Sequence, residues 1–118
     1  MLHAKLKDAI DGHFADRLLG PVQLARDALI VRFANGVLLE LRQASAEEYA
    51  LNWRCGAAQL RIDTAPVHPD LASFPNHLHA ADGSVRADPL THPGRDAWEN
   101  VRDLLEALWV DPLLQSLP

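Results

Sequence analysis

Proton-active side chains are concentrated in one part of the 118-residue sequence, between Arg61 and His79. Three of the six histidines lie there, namely His68, His77 and His79. They follow a strand-like segment in which Arg61 and Asp63 occupy alternate positions, and alternate residues of a strand point to the same face. The segment is therefore a candidate functional site.

This set of groups suits the cleavage of RNA through its 2′-hydroxyl. An imidazole with a pKa of about 6.5 can accept and return a proton near neutral pH, and a guanidinium group can hold a phosphate. His77 and His79 would transfer the protons, and Asp63 would orient an imidazole. The candidate catalytic residues are His68, His77, His79 and Asp63, and the candidate phosphate-binding residues are Arg42, Arg54 and Arg61.

Two other interpretations of the same residues stay open. The pair His77 and His79 on a strand would direct two imidazoles the same way, and Asp63 or His68 would complete a ligand set for a divalent transition metal. Spacing alone does not select a metal site, so we expect a metal-independent ribonuclease without a cofactor. In the third interpretation these side chains anchor the following loop and line an inactive polar corner.

Length and composition predict one domain, covering residues 1–118. Hydrophobic residues make up 48% of the chain and charged residues 23%, which argues against wholesale disorder. No apolar run is long enough to cross a bilayer, and acidic residues near the N-terminus argue against a secretory signal. With Cys55 as the single cysteine, an internal disulfide is impossible, and the reducing cytoplasm is the expected location.

Hydrophobic periodicity predicts an α+β domain. Its antiparallel sheet should have four to six strands in a meander, because the strand-like runs are joined by short turns. Two amphipathic helices, at residues 4–19 and 95–110, should cover one face of the sheet. The Asn35-Gly36 pair predicts a type I′ turn. The predicted strands are residues 28–34, 37–44, 49–55, 58–64, 77–81 and 84–87.

The second face of the predicted sheet is polar and rich in arginine. The net charge of −5 disfavours indiscriminate nucleic-acid binding, but the excess acid lies mainly in the C-terminal helix. Arginine is used on the sheet to the exclusion of lysine, which favours bidentate recognition of phosphate. The arginines on this face are Arg32, Arg42, Arg54 and Arg61.

Over about residues 30–110 the sequence resembles the TumE family of toxins from bacterial toxin–antitoxin pairs. The resemblance rests on Tyr49 and Trp53 in one strand, the Arg61-Ile62-Asp63 strand followed by Ala65-Pro66 and His68, the Phe74-Pro75-x-His77-x-His79 run, Asp82-Gly83 and the closing helix. It implies a toxin whose partner is a helix-turn-helix antitoxin. Ribonuclease activity is inferred from the residues and by analogy with other bacterial toxins.

The chain departs from the family pattern at three positions, where it has Thr64, Pro69 and Asn76. The family often has asparagine after the aspartate and further histidines beside residues 68 and 77. If those groups carry activity, we expect an attenuated member. The alternative function is a non-catalytic interaction module, in which the sheet face or the acidic helix binds a DNA-binding antitoxin or an identical subunit.

Overall fold

The computed structural model describes residues 2–116 of the chain. Its strands form one antiparallel sheet in which each strand pairs with the next along the chain. Short connections favour this arrangement, because antiparallel neighbours can be joined by tight turns. The elements in chain order are α1 (Leu2–His13), β1 (Gln23–Leu24), β2 (Leu29–Arg32), β3 (Leu38–Gln43), β4 (Tyr49–Cys55), β5 (Ala58–Asp63), β6 (His77–His79), β7 (Val85–Ala87) and α2 (Ala97–Val110).

Alternation along the strands separates an apolar face from a polar face, as predicted. The residues that alternate along β2 to β5 on the side facing the helices are apolar and buried, except that Cys55 is partly buried. Leu6 and Ile10 of α1 and Val101 and Leu105 of α2 join the same apolar cluster. The α+β fold with both described helices on one face of an antiparallel sheet is therefore confirmed.

Within residues 2–116 the sheet has seven strands, one more than the upper limit of the prediction. The additional strand is β1, in which Gln23 and Leu24 pair with Ile30 and Leu29 of β2. Both β1 residues are exposed. Because backbone hydrogen bonds alone define this strand, no alternation of apolar and polar residues marks it in the sequence.

The first helix ends at His13, well before the predicted end at residue 19. Gly12 weakens the helix near this point. Beyond it the backbone pairs with the sheet instead: Leu18 forms a bridge with Phe33, and the Leu19 amide donates to the Arg32 carbonyl at 2.9 Å. Backbone pairing beside β2 thus replaces the last predicted turn of helix.

The hairpin between β2 and β3 differs from the predicted type I′ turn. That turn needs positive φ at both central residues, but Gly36 has φ of 98° and Asn35 is not in the positive region. The Phe33 amide donates to the Val37 carbonyl at 2.9 Å, which leaves a three-residue loop. Asn35 instead donates to the carbonyl of Leu108 at 3.0 Å, so it ties the hairpin to α2.

The last helix, α2, begins two residues later than predicted and ends where predicted. Its apolar side packs into the core, whereas its outer side carries acidic residues paired with arginines. Among the described residues, no helix combines the length and the apolar character that crossing a bilayer requires.

Candidate active site

The antiparallel register of β5 and β6 places the candidate site residues opposite one another. Arg61 pairs with His79, and Asp63 pairs with His77. Directly opposite residues of antiparallel strands have Cβ atoms about 4.5–5.5 Å apart. Because alternate residues share a face, all four side chains project from the polar side of the sheet.

The loop between β5 and β6 brings a third imidazole to this group. The amide of Ala65 donates to Oδ1 of Asp63 at 3.0 Å, which fixes the start of the loop. His68 then turns back over β6, and its ring lies edge-on to the ring of His77 with centroids 4.8 Å apart. The ring centroid of His68 is 6.4 Å from that of His79.

A buried carboxylate lies at the centre of the cluster. Oδ2 of Asp63 accepts a hydrogen bond from Nε of Arg61 at 2.6 Å. Its Oδ1 is 3.2 Å from Nε2 of His77, and its Oδ2 is 3.6 Å from Nε2 of His79. The two imidazole Nε2 atoms are themselves 3.1 Å apart. Nη1 of Arg61 also donates to Oδ1 of Asn52 at 2.9 Å.

Asp63 and His79 both have lowered pKa values, for different reasons. Burial raises the pKa of Asp63, but the hydrogen bonds from Arg61 and Ala65, with the charges of His77 and Arg61, outweigh it and bring the pKa below its ordinary value. For His79, burial and the positive charges of His77, Arg61 and His68 lower the pKa, and the Asp63 carboxylate offsets this only in part. The cluster therefore favours a charged Asp63 and a neutral His79.

The structure thus brings five of the seven predicted site residues together: Arg61, Asp63, His68, His77 and His79. Arg42 lies on β3, two strands from β5, where it pairs with Glu40 and lies 3.8 Å from Asp27. It nevertheless lines a groove of about 300 Å³ together with Arg61 and Asp63.

Arg54 lies outside this cluster, although it shares the polar face. It pairs with Gln59 across β4 and β5, and it lines a separate groove with Glu40 and Asn52. Among the described residues, Arg54 makes no ion pair. The phosphate-binding role predicted for Arg54 therefore has no geometric support from the cluster itself.

With the fold and this geometry established, comparisons with known proteins place the chain in a family. A family model described as Toxin TumE matches residues 12–113. The chain belongs to the TumE toxin family. The match extends beyond the 30–110 region in which the sequence resembles TumE and includes every member of the cluster. No curated protein and no solved structure matches the chain.

The three departures from the TumE pattern occupy positions with local or structural contacts. Thr64 accepts a hydrogen bond through Oγ1 from the Tyr49 amide at 3.1 Å, and Pro69 is exposed in the loop. Nδ2 of Asn76 donates to Oδ2 of Asp88 at 2.7 Å, so this side chain points away from the imidazoles. Attenuation through these positions stays a prediction.

A second polar cluster, formed by Tyr49, Asn76, Asp88 and Thr91, was not predicted. Asp88 accepts hydrogen bonds through Oδ1 from the amides of Leu90 and Thr91 at 2.8 and 3.1 Å, and the Tyr49 and Thr91 hydroxyls are 2.7 Å apart. An aspartate followed by proline is a turn signal. This signal predicts a loop over residues 88–94, which the structure has, but it does not predict the contacts with Asn76 and Tyr49.

Proposed function

We propose that this TumE-family chain acts on RNA as the toxin of a toxin–antitoxin pair and cleaves the RNA backbone through the 2′-hydroxyl. Family membership carries the coarser statement, that the chain is a toxin. The observation that supports the finer proposal is the convergence of Arg61, Asp63, His77 and His79 on the polar face of the sheet. These are the groups that proton transfer and phosphate binding require.

Exposure distinguishes the roles of the two strand histidines. The side chain of His79 is 40% exposed, whereas that of His77 is 2% exposed. A group that touches substrate must be reachable, so His79 is the proposed general base. His77 and Asp63 act behind it, where they fix the orientation of the His79 ring. His68, which is partly exposed beside His77, is the proposed general acid.

The proposed reaction balances without a cofactor. His79 takes the proton from the 2′-hydroxyl, and the resulting oxygen attacks the neighbouring phosphorus. The bond from phosphorus to the 5′-oxygen breaks, and His68 supplies a proton to that oxygen. The products are a 2′,3′-cyclic phosphate end and a 5′-hydroxyl end. Arg61, held by Asp63 and Asn52, stabilises the charge that develops on the phosphate oxygens.

The groove beside the cluster supports a path for single-stranded RNA. Arg42 and Arg61 both line it, and they lie on strands separated by β4. Neighbouring strands are about 4.8 Å apart, so these two strands are roughly 10 Å apart. Two guanidinium groups at this separation can contact successive parts of a nucleic-acid backbone, although the whole chain is acidic.

The TumE family implies an antitoxin partner, and we propose that it is a helix-turn-helix protein. The acidic outer side of α2 offers little free charge for such a partner. Arg95 lies 3.0 Å from Glu99 and 2.8 Å from Asp103, and Arg17 pairs with Glu106. Because these acids are paired within the chain, the structure does not favour the acidic helix as the docking element.

Induced expression tests the proposal in cells. We expect the wild-type chain to arrest growth and to leave shortened cellular RNAs, and coexpression of its antitoxin to prevent both. His79→Ala should abolish both effects. The matched control is His92→Ala, because His92 is exposed and its hydrogen bonds to Asn100 use the backbone. Growth arrest with intact RNA, or equal arrest by His79→Ala, contradicts the proposal.

A further inference from the structure

The polar atoms of Asp63, His77 and His79 lie close to the mutual distances expected for ligands of one metal ion. Nε2 of His77 is 3.1 Å from Nε2 of His79 and 3.2 Å from Oδ1 of Asp63. Nε2 of His79 is 3.6 Å from Oδ2 of Asp63. Tetrahedral bonds of about 2.0–2.2 Å place neighbouring ligand atoms roughly 3.3–3.6 Å apart. These atoms need little rearrangement to share a cation.

The groups behind these atoms support the same conclusion. Nδ1 of His77 is 3.4 Å from the carbonyl oxygen of Pro75. A backbone carbonyl beside the second ring nitrogen is the usual support of a metal-ligating histidine. The Asp63 carboxylate is likewise held, by the Arg61 guanidinium and the Ala65 amide.

A metal ion and protons compete for these atoms. Metal binding needs an unprotonated imidazole nitrogen and a carboxylate, so it releases any proton held between them. Nε2 of His77 and Oδ1 of Asp63, 3.2 Å apart, are the two atoms that such a proton would join.

We infer that Asp63, His77 and His79 bind one divalent transition-metal cation, with zinc the expected ion. Two imidazoles and one carboxylate form a mixed nitrogen and oxygen set that suits zinc, and three protein ligands leave a fourth position for water. All three atoms lie within 4.8 Å of one another. The guanidinium of Arg61 on the same carboxylate limits the affinity, because it offsets part of the negative charge.

The inference deepens the proposed function, and its regulatory part rests on that function. A zinc ion on Nε2 of His79 occupies the ring that serves as general base and the two groups that orient it. Zinc binding and metal-free RNA cleavage should therefore exclude each other. The binding itself does not depend on whether the chain cleaves RNA.

Isothermal titration of zinc into the chelator-treated, purified chain tests the site without an activity assay. We expect one zinc ion per chain, with the affinity lowered at least tenfold by His79→Ala and by Asp63→Asn. His92→Ala should bind zinc as the wild type does. Circular dichroism of each variant confirms folding before titration, and cobalt(II) absorption provides a second readout of the ligand set.

The outcomes separate this inference from the proposed function. No saturable zinc binding by the folded chain, or equal affinity in all variants, overturns the metal site. Zinc binding by a chain that cuts no RNA supports the site and removes the proposed function. Cleavage suppressed by zinc and recovered with chelator supports both proposals. Cleavage that requires zinc supports the site, but it overturns the inhibitory role and the metal-free mechanism.

Discussion

Two buried carboxylates near the ends of β5 and β7 are held in different ways. Asp63 and Asp88 are almost equally buried, with 7% and 6% of their surfaces exposed. Asp88 accepts hydrogen bonds from four neutral donors: Nδ2 of Asn76, Oγ1 of Thr91 and the amides of Leu90 and Thr91. Asp63 is held by a guanidinium and an amide and faces two imidazoles. Two equally buried carboxylates therefore have chemically different partners.

The difference shows how one strand can serve both structure and function. Asn76 and His77 are consecutive, yet Asn76 belongs to the Asp88 cluster and His77 to the Asp63 cluster. Neutral donors in fixed positions stabilise a fold, because they give both oxygens of the buried Asp88 carboxylate a hydrogen-bond partner. Groups that gain and lose protons can instead exchange a proton for a substrate or a metal ion.

The largest expected effect is the loss of RNA cleavage in His79→Ala. Removal of a proton-transfer group lowers the rate by about 10²–10⁴-fold. The free energy of unfolding should change by about 1 kcal/mol or less, because His79 is partly exposed. Single-turnover cleavage and urea denaturation measure the two effects. If His79→Ala loses much stability but cleaves RNA at the wild-type rate, the Asp63 cluster has a structural role, as the Asp88 cluster does.

Asp88→Ala should lower stability strongly and RNA cleavage only slightly. It removes the acceptor of four hydrogen bonds, those from the Asn76 side chain, the Thr91 hydroxyl and the amides of Leu90 and Thr91. We expect the free energy of unfolding to fall by about 3 kcal/mol. Cleavage per folded molecule should fall less than tenfold, since Asp88 forms no hydrogen bond with an imidazole among the described residues. Chemical denaturation gives the stability. Full stability in this variant would contradict the structural role.

Arg42→Ala should weaken RNA binding several-fold, whereas Arg54→Ala should have little effect. Arg42 lines the groove with Arg61 and Asp63, and Arg54 does not. For single-stranded RNA, loss of one phosphate contact should reduce the slope of log affinity against log salt by about 0.7. Binding to a fluorescent RNA over a range of salt concentrations measures both. Equal effects of the two variants would extend the binding surface beyond the cluster.

The last prediction concerns the pH dependence of the Asp88 cluster. Burial raises the pKa of Tyr49 to about 12, the charge of Asp88 adds to this, and the bond to Thr91 opposes it. Because the folded value lies above the unfolded value of about 10, stability present below pH 10 is lost as pH rises through 12. Tyr49 is the only tyrosine, so its absorbance reports this titration directly. Tyr49→Phe is the control, and a folded-state value near 10 would contradict the burial.

The sequence predicts those features that depend on periodicity within one strand. Arg61 with Asp63, and His77 with His79, share a face because the strand repeat is two residues. Once β5 and β6 pair side by side, these four groups lie close together. The position of His68 depends on the path of a loop, and the Asn76–Asp88 bond joins residues that follow no common repeat. Likewise, β1 lacks an apolar pattern, and the register that separates Arg54 from the cluster follows from strand pairing.

Cleavage of matched substrates tests the central claim most directly. The folded wild-type chain is incubated, in the presence of chelator, with an RNA and with the same sequence carrying 2′-O-methyl groups. The account predicts that the RNA alone is cut and that its fragments carry 2′,3′-cyclic phosphate and 5′-hydroxyl ends. An intact RNA, or equal cutting of both substrates, would contradict the account.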